Sequence, residues 1–421
     1  MTLSVSLVVA RPPIPPITTR EDLIDTLFLA AEIEHSIMCQ YLYAAFSVDR
    51  TSAALSPGHA ELARTFVIET LKIARQEMAH LSMVTNLLIA VGAAPDFDRP
   101  NMPIQRGYYS IDLRFALLPF GDAFLELAAE LETPFEDPVR AGPQPYYPSV
   151  AAIYDRIAAG VILLGSPGAS TAPTLFVGAA DPQISNADFG AGPNQVWYDV
   201  TLLPVTDLTS ALAAITLIRV QGEGATTDDP SSHYSIVCRM RELWDALPDD
   251  ARRAMVRPVP ANPLAKQRGD VDPNATCVVL SDPRAVALAN VANRTYELLL
   301  LLLARLYGRN DATPEDRDMY RNYAFFPLMT IVIRPVAEII DDLPAGDGRH
   351  CAACTFELDG PIRTFPDRIA FQIQLAERLG HLSDEYARVA AMPEVSERLA
   401  FVAQNVAYVR DRIQAYIAGQ P

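Results

Sequence analysis

Positive charge is scarce in this chain: 34 lysines and arginines stand against 51 aspartates and glutamates, a formal net charge of −17 over 421 residues. An acidic surface repels phosphate backbones and anionic headgroups, so neither nucleic acid nor an anionic membrane surface is an expected partner. A run of about 18 uncharged apolar residues, the length that spans a bilayer, is missing. The richest stretch, Leu298 to Leu303, is flanked by Glu297 and Arg305 and reads as a buried helix, in the core or at a subunit interface that would admit a homodimer. The apolar start, Met1 to Ala10, lacks a positive leading segment, so no targeting peptide is expected. Five scattered cysteines form no disulfide framework, which points to a reducing compartment and, by default, the cytoplasm. There is no fixed-period repeat, no low-complexity tract, no phosphate loop, no nucleotide fingerprint and no serine triad.

What is present is a 50% hydrophobic chain, enough for a large core, with 34 prolines. The prolines cluster at 12–16, 134–148, 258–263 and 361–366, where they punctuate helices and build long crossings. Between them the apolar spacing is helical, and the fold expected is all-α. Helices are predicted over 19–50 and 58–92, and from near Phe120 to Pro134 with a resumption over Val150 to Leu164. Others follow over Leu208 to Gln221, Ser231 to Leu247, 285–307, 314–342, 366–391 and 394–417. Thr174 to Val177 and Val196 to Leu203 could be short strands. The expected organisation is a bundle over 1–250, a Pro-rich connection over 251–284, and a C-terminal helical region over 285–421 packed on the bundle.

The acids and histidines acquire meaning once they are placed on these helices at about 100° per residue. On the first helix Glu34 falls within roughly 20° of Leu23, Leu27 and Tyr41 and so points at the core. Glu32 lies on nearly the opposite face and His35 at the flank, which makes Glu32-x-x-His35 a fortuitous match. On the second helix Glu77 shares the row of Phe66, Leu81, Val84 and Leu88; His80 follows on the same side, and Glu69 lies near the row. A buried carboxylate is costly unless it is paired, protonated or metal-bound. Bundles that hold two irons take one Glu from each of two helices and Glu-x-x-His from the other two. Spacing alone also permits the plainer reading, in which Glu77 and His80 are a satisfied polar pair in a core.

Later candidates are less regular. Glu132 shares a face with Leu125 and Ala128 just before Pro134. Glu223 follows the fourth helix in Gln221-Gly222-Glu223-Gly224, and the nearest histidine is His233 on the next segment. A ligand there needs a break in the chain, which glycines 222 and 224 permit. Cys351-x-x-Cys354 beside His350 has no second cysteine pair and reads as structural, as does the core thiol Cys39. Tyr41 and Tyr43 could be redox-active beside a two-metal centre, but packing is the expectation; His59 and His381 are expected to be exposed.

These residues lie in segments that resemble a bacterial ferritin-like family: Ala31-Glu32-Ile33-Glu34-His35-Ser36-Ile37-Met38, Arg75-Gln76-Glu77-Met78-Ala79-His80-Leu81, and Arg99-Pro100-Asn101-Met102-Pro103. Further similarity appears at Leu131-Glu132-Thr133-Pro134, Gln221-Gly222-Glu223-Gly224 and Pro258-Val259-Pro260-Ala261-Asn262-Pro263, so the resemblance spans roughly residues 20–265. The family includes the ferritin-like part of the iminophenylpyruvate dimer synthases of violacein- and rebeccamycin-type pigment pathways, which are longer chains. Where those relatives are expected to carry Glu-Arg-Pro, this chain has Glu132-Thr133-Pro134. The resemblance implies a ferritin-like four-helix bundle with long crossovers and added C-terminal helices. It implies metal ligands at Glu34, Glu77, His80, Glu132 and Glu223, to which His233 is added. The cofactor expected is one or two irons, with manganese as the alternative. The function expected is a non-haem iron oxidase or oxygenase of secondary metabolism, with dioxygen and a small, amino-acid-derived molecule as its partners. The competing expectation is a metal-storage or stress protein without turnover, against which the long insertions and extra helices argue.

Overall fold

The computed structural model describes residues 14–134, 147–168, 174–189, 200–222, 229–308 and 310–419. The fold is an all-α bundle built on one long helical hairpin. Its first helix, α1 (Arg20–Ser47), starts where Thr19 accepts a hydrogen bond from the Asp22 backbone N–H at 3.1 Å and Asp22 reaches back to the Thr19 N–H. It stops at Val48, whose extended backbone pairs with Val256, so the helix predicted to reach residue 50 is shorter. The second, α2 (Pro57–Ala90), is capped by Ser56, begins with a proline that needs no N–H partner, and closes before Gly92 in the left-handed region. The two helices share the most extensive packing in the molecule.

Each remaining corner of the bundle is a broken helix. One consists of α3 (Asp122–Leu131) and α4 (Val150–Gly165); the other of α5 (Leu208–Gln221) and α6 (His233–Asp245). Packing pairs α3 with α6 and α4 with α5, as two antiparallel broken helices require. The end of α3 and the start of α6 face the middle of α2, where Glu132 and His233 meet Glu77. The third helix, predicted to start near Phe120, begins at Asp122, just after Phe120 gives its N–H to Ser47 Oγ at 2.8 Å. The strand predicted at Thr174 to Val177 is absent. Of Val196 to Leu203, residues 200–203 are non-regular and the rest lie outside the described residues.

A short α7 (Asp249–Met255) spans the 250/251 boundary, and a winding segment follows it with one parallel pair of two-residue strands, β1 (Pro263–Leu264) and β2 (Val278–Val279). Four helices complete the chain: α8 (Pro283–Leu306), α9 (Pro314–Ile340), α10 (Arg368–Ala390) and α11 (Arg398–Ala418). Helix α9 contains two π-helical stretches, Arg321–Phe325 and Leu328–Ile333. Pro327 sits between them: it offers no N–H, and its ring displaces the carbonyl four residues earlier, so the winding widens. Helices α8 and α9 are each long and apolar enough to cross a membrane by length and composition. In this fold α8 lies against the hairpin, where Tyr296 meets His35 and Cys39 of α1.

Candidate metal centre

The side chains that matter lie where the broken helices face the hairpin. Glu34 projects inward from α1, Glu77 and His80 from α2, Glu132 from the residue that caps α3, and His233 is the first residue of α6. All five are fully buried. They form two groups of converging ligand atoms, Glu34–Glu77–His80 and Glu77–Glu132–His233, with the atoms of each group within 4.8 Å of one another. Glu77 belongs to both. Its Oε2 lies 3.0 Å from His80 Nδ1 and its Oε1 lies 2.9 Å from His233 Nδ1. Glu34 Oε2 stands 3.5 Å from His80 Nδ1, and Glu132 Oε2 stands 3.3 Å from His233 Nδ1.

The outer shell repeats the same pattern on both sides. The Tyr154 hydroxyl of α4 donates to Glu34 Oε1, and the Tyr41 hydroxyl of α1 donates to Glu132 Oε1 at 2.7 Å. His80 Nε2 donates to Gln221 Oε1 and His233 Nε2 to Gln76 Oε1, each at 3.1 Å. With the proton of each neutral imidazole on Nε2, the lone pair of each Nδ1 faces inward. That is the ligand-ready tautomer, fixed by the second hydrogen bond as metal-site histidines require.

Burial and mutual repulsion set the electrostatics. Burial, reinforced by the neighbouring Glu77 charge, raises Glu34 to about 8. Burial would raise Glu77 as well, but the His80 and His233 charges outweigh it and hold this carboxyl well below its usual range. Burial lowers both histidines; Glu132 and Glu77 more than reverse that for His233, which reaches about 9, and Glu77 with Glu34 raises His80 well above its ordinary value. Among the described residues Glu34 Oε2, Glu77 Oε1, Glu132 Oε2 and His233 Nδ1 find no partner outside the cluster, although each is fully enclosed; their contacts are with one another and with His80 Nδ1, at 2.9 to 3.5 Å. Ligand atoms crowded this closely, with no donor or counter-charge from outside the cluster, are a liability for a merely structural polar core. They fit a cation pair, and a set of carboxylates with two imidazoles suits iron or manganese.

Five of the six candidate ligands are thus brought together. Glu223 lies outside the described residues. Glu32 and Glu69 are half-buried and join neither group, and His35, expected at the flank, is fully buried against Tyr296. His59 is half-buried rather than exposed, while His381 is exposed. Cys39, Cys351 and Cys354 are free thiols, and Cys39 sits 3.2 Å from the Tyr296 hydroxyl. Tyr43 is buried between the hairpin and the winding segment, its hydroxyl on the Pro260 carbonyl. The sequence assigns no role to Tyr154, Gln76 or Gln221, and for Tyr41 it favours packing over a redox role beside the metals. For the glutamines the adjacency to Glu77 and to Gly222 was the one available signal.

A family model described as ferritin-like matches residues 27–242. Dichlorochromopyrrolate synthase of Lentzea aerocolonigenes is 28% identical over 439 residues, covering 93% of this chain and 41% of that protein. The 2-imino-3-(indol-3-yl)propanoate dimerase of Chromobacterium violaceum is 28% identical over 408 residues, covering 89% of this chain and 38% of that protein. The chain therefore spans about two-fifths of the length of these curated relatives. Among solved structures, a ferritin-like protein from Caulobacter vibrioides is 19% identical with a TM-score of 0.46, covering 71% of this chain and 91% of that one.

Proposed function

This chain belongs to the ferritin-like family, and from that membership and its buried Glu/His cluster we propose that it is a dinuclear, non-haem iron oxidase or oxygenase. The observation that carries the reading is Glu77, whose two oxygens each lie against a different histidine, so that one carboxylate serves two ligand groups. Glu34, Glu77 and His80 would hold one metal ion and Glu77, Glu132 and His233 a second, with Glu77 common to both groups. Glu223 is a sixth ligand by the motif resemblance, and manganese is the alternative metal. Iron held there would supply one-electron chemistry with dioxygen.

The protein's own contribution is positional. Tyr154 and Tyr41 fix the outer carboxylate oxygens, Gln221 and Gln76 fix the imidazoles, and the apolar bundle excludes water. One named relative dimerises 2-imino-3-(indol-3-yl)propanoate and the other makes dichlorochromopyrrolate, as their names state. A small, amino-acid-derived substrate in secondary metabolism is accordingly part of the proposal, and a cytoplasmic location is proposed from the five free cysteines. The division into a bundle over 1–250, a connection over 251–284 and a C-terminal region over 285–421 is proposed with it.

Elemental analysis of the purified protein beside a Glu77→Ala, His80→Ala variant tests the reading. The expected result is one or two irons per chain, reduced to background in the variant. A wild-type protein that takes up no metal after anaerobic iron loading would overturn it.

A further inference from the structure

We infer that the cavity between the α1–α2 hairpin and helices α8 and α9 is a binding site for a small aromatic carboxylate, separate from the Glu/His centre. The two sites use opposite faces of one turn of α2: Gln76 and Glu77 point into the centre, while Arg75 and Met78 line the cavity. No member of the Glu/His cluster is part of the cavity wall.

Size and lining define the body of the ligand. The cavity measures about 240 Å³. An engineered apolar cavity of about 150 Å³ already takes up benzene, so this one has room for a fused ring with a short side chain. Five aromatic rings face it, from Phe46, Tyr296, Phe325, Phe326 and Phe356, and Met38, Met78 and Met329 add polarisable sulfur. Aromatic edges and thioethers favour a flat ring over an alkyl chain. Phe325, Phe326 and Met329 are only half-buried, although each is large and apolar. The i→i+5 winding of the π-helical stretches keeps these residues and both α9 arginines on one side.

Charge defines the head. In a chain of net charge −17, the described lining residues include Arg75, Arg321 and Arg334 and no aspartate, glutamate or lysine. Arg334, its side chain 52% exposed, stands at the solvent side, and Arg321 lies deeper at 21%. Arg321 already donates to Asp318 and Asp188 at 3.2 and 3.4 Å, whereas Glu338 stands off from Arg334 at 3.9 Å. The Arg334–Glu338 pair is solvated and weak. A carboxylate arriving from the cavity can therefore engage the Arg334 guanidinium fork at little cost.

Calorimetric titration with 1-naphthaleneacetate, set against its neutral isostere 1-naphthaleneacetamide, tests the proposal. The expected result is one saturable site per chain for the acid, with the amide at least tenfold weaker. An Arg321→Gln, Arg334→Gln variant should lose tenfold or more for the acid and nothing for the amide. Met329→Trp, which fills the space, should abolish both. No saturable binding by the folded wild type, or equal binding of acid and amide, would overturn the inference. So would loss of acid binding in the Glu77→Ala, His80→Ala variant with retention in the arginine variant, because the carboxylate would then sit at the metal centre. Retention in the Glu77→Ala, His80→Ala variant supports the separate site whether or not the centre proves to hold iron.

Discussion

His80 and His233 stack with ring centroids 5.5 Å apart and planes 29° from parallel. Gly222 fits beside both: a Cβ added there would lie 3.1 Å from His233 Nδ1 and 3.3 Å from His80 Cε1. Neither ring can give way without leaving its glutamine or its carboxylates. Gly222→Ala is therefore expected to leave the helices intact, by circular dichroism, while weakening metal retention by about tenfold, the low end of the effect of disturbing outer-shell support. Wild-type metal content in this variant would show that the two imidazoles do not set the site.

Gln76 and Gln221 hold the imidazole tautomers from outside. Replacing either with leucine removes the acceptor for one Nε2–H and frees that ring to turn. A loss of about 10- to 100-fold in metal affinity is expected for each variant, measured by competition with a chromogenic chelator. A change in thermal stability without a change in affinity would assign the glutamines to packing alone.

How much of this was legible depended on continuity of the helix. α1 and α2 run unbroken for 28 and 34 residues, so a helical wheel alone places Glu34, Glu77 and His80 on the buried face. Glu132 and His233 stand at helix ends, where a wheel no longer applies, and their side-chain directions are set by how the broken helices pack. Tyr154 meets Glu34 across 120 positions of sequence, and only the packing of α4 on α1 produces that contact. The strand signal at Thr174 to Val177 failed for a related reason: Val177 and Gly178 give their N–H groups to the Ala90 carbonyl at the end of α2, which leaves no neighbouring strand to pair with. The cavity was unreadable, since its walls come from helices far apart in the chain.

Each outer carboxylate oxygen relies on a phenol. Tyr154→Phe removes the donor to Glu34, and Tyr41→Phe removes the donor to Glu132. A buried acceptor left without its donor costs about 1–3 kcal/mol. Each substitution is expected to lower unfolding free energy by that amount in urea titration with the denaturant slope unchanged. Tyr43→Phe, at the Pro260 carbonyl and away from the cluster, should destabilise without altering metal binding. Identical metal affinities across all three variants would argue that the phenols serve the fold and not the centre.

The protonation of the empty cluster makes stability depend on pH in a definite direction. In the metal-free protein, burial together with Glu77 raises Glu34 to about 8, and Glu132 and Glu77 raise His233 to about 9 against the opposing effect of burial. Above pH 7 the folded chain therefore binds more protons at these two groups than the unfolded chain does, and stability falls as pH rises. The contribution of His233 is fully present below its unfolded value and lost through about pH 9, while the penalty of ionising Glu34 accumulates up to about pH 8. Glu32 and Asp341, both raised to about 7 chiefly by burial, act below this window, and the depressed Glu77 acts in acid, where protonation removes its contribution. Metal binding displaces the same protons. The melting temperature of metal-free protein is accordingly expected to drop between about pH 7.5 and 9, and the gain on adding manganese(II) to grow across that interval. His233→Gln should flatten both trends. A manganese effect independent of pH, or absent from the wild type, would place the ion elsewhere than on these carboxylates and imidazoles.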